Sequence, residues 1–115
     1  KGKCENLHGH NGVVEVTLAA EKLNKEKMVM DFTELGAKVK TWLDENFDHK
    51  VILDKADPLL PLLKAHGQAC YATPQNPTAE TFAQLLFERF TKELGLPVHE
   101  VAFWETPTSM ASYKK

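Results

Sequence analysis

A chain of 115 residues, 43% hydrophobic and 26% charged, has the composition of one soluble globular domain spanning residues 1–115, with no room for a second. Its net charge of −2 argues against nucleic-acid binding as the main role, and no apolar run approaches the roughly 18 residues that suggest a membrane span. Two cysteines, Cys4 and Cys70, without a secretory signal ahead of them, point to reduced thiols in a cytoplasmic protein.

The chain opens on Lys1 without a Met and is almost at once in a motif, so its true N-terminus is expected to lie upstream. Cys4-Glu5-Asn6-Leu7-His8-Gly9-His10 sets a thiol four residues before a His-x-His pair. In an extended strand, residues i and i+2 point the same way, so His8 and His10 can face one metal ion. Imidazole suits zinc, and a catalytic zinc site usually has three protein ligands and one open position. Taken alone, a His-x-His is more often a pair of half-exposed strand histidines.

Gly12 to Ala20 reads as a strand, with Val14, Val16 and Leu18 alternating against a more polar side. Glu21 to Lys27 is a polar connection, and Asp31 can cap a helix. Phe32, Leu35, Val39, Trp42, Leu43 and Phe47 then recur at intervals of three and four, predicting an amphipathic helix that ends near Asn46. Asp57-Pro58 suits a short helix with Pro at its first position, Leu59 to Ala65 carries it, and Gly67 ends it. Ala72 to Pro77 reads as a loop. Asn76-Pro77-Thr78 with Glu80 opens a second long helix, whose stripe is Phe82, Leu86 and Phe90, and Gly95 and Pro97 stop it. Val98 to Glu105 is a strand with His99, Val101, Phe103 and Glu105 on one side, and Ser109 to Tyr113 suits a short last strand. Strands at both ends with helices between them give an α+β fold in which the helices cover one sheet face. So thin a core calls for an upstream strand, oligomerisation, or both.

Three further groups can carry chemistry. Asp48-His49 directly follows the first helix, where a carboxylate can fix the tautomer of an imidazole, although a histidine at a helix end is more often only a favourable terminus. Cys4 beside a metal or an imidazolium is a candidate thiolate; otherwise it is a small buried hydrophobe. Glu105, at a strand end before a Pro turn, can accept hydrogen bonds from an amidine-like N–H pair of a heterocycle, though an edge-strand Glu usually faces solvent. Cys70 reads as structural, and His66 and His99 have no motif context.

Cys-x-x-x-His-Gly-His, Asp31-Phe32, Asp48-His49, Asn76-Pro77-Thr78-Ala79-Glu80 and Trp104-Glu105-Thr106 together resemble the 6-pyruvoyl-tetrahydropterin synthase family in order and spacing, from Lys3 to Tyr113. Three residues between Cys4 and His8 match the 6-carboxy-tetrahydropterin synthases of queuosine biosynthesis, whereas five mark the pyruvoyl-forming members. The resemblance implies the tunnelling fold: an antiparallel sheet with two long helices on one face. Its first strand would precede residue 1, and two stacked trimers would form a homohexamer. It implies His8 and His10 as zinc ligands, with the family's third histidine upstream of the Cys. It also implies Cys4 as the proton-transferring thiolate, Asp48 and His49 as its relay, and Glu105, with Thr106 beside it, as the pterin anchor. The implied substrate is 7,8-dihydroneopterin triphosphate. The family's pyruvoyl branch and a non-catalytic pterin-binding relative are the rival readings. Gly12 departs from the pattern, standing where an aromatic often follows His-Gly-His-Asn.

Overall fold

The computed structural model describes residues 9–115. Along them run β1 (Val13–Leu18), α1 (Phe32–Asn46), β2 (Val51–Asp54), α2 (Leu59–Ala65), β3 (Cys70–Thr73), α3 (Ala79–Lys92), β4 (Val98–Thr106) and β5 (Ser109–Lys114). Both long helices begin where their capping side chains predict. Asp31 Oδ1 accepts the Thr33 N–H at 2.7 Å, and Thr78 Oγ1 accepts the Thr81 N–H at 3.2 Å. No helix among the described residues is long and apolar enough to cross a membrane.

β1, β4 and β5 form an antiparallel sheet in the order β1-β4-β5. Val14, Val16 and Leu18 of β1 pack towards the helices, while Val13, Glu15 and Thr17 are exposed on the other face. α3 lies directly across β4 and β5. The core is built from Leu86, Phe87 and Phe90 of α3, Val101 of β4, Leu96 and Trp42 of α1. Burying each large apolar side chain of this set contributes about 1.5–3 kcal/mol. The Trp42 indole, edge-on to Phe90 at 5.7 Å, needs a polar partner when buried and donates to Glu93 Oε1 at 2.9 Å. That bond ties α1 to the C-terminal end of α3.

The sheet departs from simple alternation at two places. Thr17 pairs with Glu100 but Leu18 with Val98, so His99 is an extra residue; Trp104 pairs with Met110 but Thr106 with Ser109, so Glu105 is another. Each insertion is a β-bulge, which bends the strand and re-aims the residue it frees. The predicted single side of His99, Val101, Phe103 and Glu105 therefore holds only for its two central members.

A second sheet was not predicted. β2 and β3 pair in parallel through α2, from Val51 with Cys70 to Asp54 with Thr73. The expected loop from Ala72 to Pro77 thus gives its first two residues to β3. Parallel strands require a crossover connection, and α2 supplies it. Thr73 is fully buried, and its Oγ1 lies 2.5 Å from Gln75 O and 3.2 Å from Leu53 O. α2 starts slightly differently from expectation: Pro58 is the cap residue, and Asp57 Oδ1 accepts the Leu59 N–H at 2.8 Å.

Candidate functional site

α1 ends by a device that fixes Asp48 and His49. The Phe47 and Asp48 N–H groups both bond to Leu43 O at 2.8 Å, and the Lys50 N–H returns to Phe47 O at 3.1 Å. This tight reversal holds His49 at φ 57, the left-handed region that a non-glycine residue occupies only at a cost. His49 Nδ1 lies 3.1 Å from Asp48 Oδ2, so the turn brings together two neighbours that an extended strand would set on opposite sides. The imidazole is 92% exposed and the carboxylate 58%, so the pair stands open to any incoming group.

A row of rings leads from this turn to the sheet. Phe47 lies 5.4 Å from Phe82 on α3, and Phe82 lies 4.8 Å from Phe103 on β4. Beyond Phe103 is Gly12: a Cβ built there would stand 2.7 Å from Phe103 Cζ. The ring of Phe103 thus fills the space at Gly12, which gives the departure from the family pattern a physical reason. Asp48 and His49 follow one end of the row, Glu105 comes two residues after Phe103, and His10 two residues before Gly12. Three distant parts of the chain that carry candidate site residues thus adjoin one row of packed rings.

Register agrees with this arrangement. Val13 pairs with Trp104, so the lead-in bearing His10 and the strand end bearing Glu105 and Thr106 lie at the same end of the sheet. His10, Glu105 and Thr106 are all exposed. Thr106 Oγ1 accepts the Thr108 N–H at 3.3 Å, so its hydroxyl is engaged in its own turn, leaving Glu105 the better-placed acceptor. Cys4 and His8 lie outside the described residues. Cys70 is a free thiol, half-buried on β3. Two shallow concavities, one beside Gln75 and Gln84 and one beside Trp42 and Leu94, include none of the predicted site residues. Of the site groups among the described residues, His10, Asp48, His49, Glu105 and Thr106 lie on open surface.

Among the described residues no three His, Cys, Asp or Glu side chains are grouped to hold a metal. His10, ahead of β1, is an exposed imidazole, a donor that suits zinc. His10 therefore fits the role of one zinc ligand. Sequence reasoning missed the Gly12–Phe103 contact and the bulge at Glu105. The first depends on partners as far apart in the chain as Gly12 and Phe103, while Pro107 carried a signal for the second.

The Gly12 contact gives a stability test. Gly12→Ala is expected to destabilise the fold by about 1–3 kcal/mol, because Phe103 is backed by Phe82 and must move to admit a methyl group. Chemical denaturation measures it, and an unchanged midpoint would show that the ring row yields freely.

The family model described as 6-pyruvoyl tetrahydropterin synthase matches residues 1–115. A protein of Aquifex aeolicus named 6-carboxy-5,6,7,8-tetrahydropterin synthase is 38% identical, over 98% of this chain and 76% of its own length. A protein of the same name from Rickettsia bellii is 37% identical over 93% of this chain and 82% of its own. Among solved structures, an uncharacterized protein of Wolinella succinogenes superposes with a TM-score of 0.78 at 29% identity, over 97% of this chain and 81% of that one.

Proposed function

Since this chain belongs to the 6-pyruvoyl tetrahydropterin synthase family, we propose that, within this group of pterin lyases, it is a zinc-dependent 6-carboxy-tetrahydropterin synthase. Its substrates would be 7,8-dihydroneopterin triphosphate and water, which supplies the second carboxylate oxygen, and its products 6-carboxy-5,6,7,8-tetrahydropterin, acetaldehyde and triphosphate, on the route to queuosine. The observation that carries this reading is the name shared by its relatives, from Aquifex to Rickettsia. The three-residue spacing from Cys4 to His8 agrees with it.

In this reading His8 and His10 hold zinc with a further ligand. Zinc, when bound, supplies a Lewis acid that polarises substrate side-chain oxygens. Glu105 accepts the N–H pair of the pterin ring, which fixes the heterocycle and presents its side chain to the proton-transfer groups. Cys4, as thiolate, and His49, oriented by Asp48, move protons on and off the side chain, and their placement converts proton transfer into an intramolecular event. The open surface at His10, His49 and Glu105 is suited to closure by another copy of the chain. The uncovered sheet face, with Val13 and Met110 60% and 44% exposed, supports such association, which we propose reaches a homohexamer.

Mass spectrometry after incubating zinc-loaded protein with dihydroneopterin triphosphate is the test. A 6-carboxy product with acetaldehyde is expected. A 6-pyruvoyl product, the reaction named in the family's own description, would keep the site and overturn the specificity. Bound pterin without any product would make the chain a non-catalytic relative.

A further inference from the structure

The bulge that frees Glu105 is fixed from both sides by residues with no other evident task. On the turn side, Thr106 pairs with Ser109, so the β4–β5 hairpin has a two-residue loop, Pro107-Thr108. Such loops normally adopt turns that need a positive φ at the first loop residue, and the proline ring excludes that. A turn with Pro at that position splays the two strands. One extra residue in β4 absorbs the mismatch, and the residue inserted is Glu105.

On the strand side, Glu15 and Trp104 clasp β1 to β4 across the uncovered face. Val13 is the residue paired with Trp104, so Glu15 is its diagonal neighbour, near enough for two long side chains to meet. Trp104 Nε1 donates to Glu15 Oε1. The residue opposite Glu15 is Ala102, small and buried, which leaves the indole room to lie along the face. The clasp holds β4 in register up to the residue immediately before the bulge.

We propose that Glu15 and Pro107 are positioning residues for the pterin anchor: Glu15 acts through Trp104, Pro107 through the turn, and together they hold Glu105 out of the ladder. This rests on the reading above that Glu105 binds the pterin ring. Glu15 lies on the uncovered sheet face with Val13 and is not itself among the groups assigned to substrate, metal or proton transfer.

The test is a double-mutant cycle on the full chain, with 7,8-dihydroneopterin as probe and its Kd read by equilibrium dialysis. Glu105→Gln is expected to weaken binding about 10-fold or more, having lost a charge-assisted pair. Glu15→Ala and Pro107→Gly are each expected to weaken it about 3- to 10-fold, within the range of coupled neighbours, and to add nothing in the Glu105→Gln background. Glu15→Gln, which keeps an acceptor, should restore most of the loss. Trp104→Phe keeps an aromatic side chain but removes the donor along with part of the indole, so it serves if Glu15→Ala does not fold, and its loss should be at least that variant's. In turnover, the Glu15 effect should appear in KM with kcat nearly unchanged.

If Glu15→Ala or Trp104→Phe binds as the parent does, the positioning role is wrong. Equal losses with and without Glu105→Gln also overturn it, since Glu15 would then act independently of the anchor. Unchanged binding in Glu105→Gln itself would remove the anchor, and the reading of Glu105 would fail before the inference did.

Discussion

Cys4→Ala is expected to reduce product formation about 10²- to 10⁴-fold, the range that one positioned proton-transfer group contributes. Binding of the pterin and zinc content should both survive. The reason lies in the division of labour proposed above: Glu105 holds the ring, His8 and His10 hold the metal, and the thiolate with His49 moves protons at the substrate side chain. A thiol four residues before His8 is close in sequence to the expected ligands but is not counted among them. Steady-state assay together with metal analysis separates the possibilities. Full turnover in the variant would remove Cys4 from the mechanism, while lost zinc with lost turnover would make it a ligand.

The second large effect concerns His49, where function and folding are expected to part. His49→Gly removes the imidazole, and turnover should fall about 10²-fold or more. The fold should not suffer in proportion. At φ 57 glycine carries no Cβ penalty, and relief of about 1 kcal/mol roughly offsets its greater freedom in the unfolded chain. The thermal midpoint should therefore hold or rise while activity collapses. His49→Asn, whose short side chain also tolerates this region, should behave alike and keep its zinc. A fall in midpoint together with activity would mean that His49 serves the turn, and loss of zinc would mean that it is a ligand mistaken for a base. An unfavourable backbone retained at a histidine, beside a carboxylate 3.1 Å away, is the pattern expected where strain serves a site.

Much of this architecture was legible in the residues themselves. Asp31 and Thr78 announce their helices because capping is a local bond between near neighbours, and the stripe from Leu35 to Phe47 reports α1 because its buried face repeats every turn, while Phe32, counted in that stripe from the sequence, is 86% exposed at the helix start. β2 and β3 escaped because each has four residues, too few for a period to show, and because their pairing reaches nineteen positions along the chain. The site divides in the same way. Asp48-His49 and Glu105 stand out as residue types at element ends. That the row Phe47, Phe82 and Phe103 brings their segments together is a matter of packing that no spacing along the chain records. Likewise the bulge at Glu105 belongs to two strands at once, so β4 read alone looks like an unbroken alternation.

The contact between Gly12 and Phe103 reaches beyond this molecule. The two positions share a single volume, with Phe82 as its back wall, so the space that one side chain occupies is denied to the other. Relatives that carry an aromatic at the position of Gly12 should then carry a smaller residue at that of Phe103, with the sum of the two roughly preserved. Divergence along this lineage would proceed through paired exchanges, and a chimera joining the segment that corresponds to Gly12 and β1 in one relative to the last hairpin of another would inherit two rings competing for one cavity, or none to fill it.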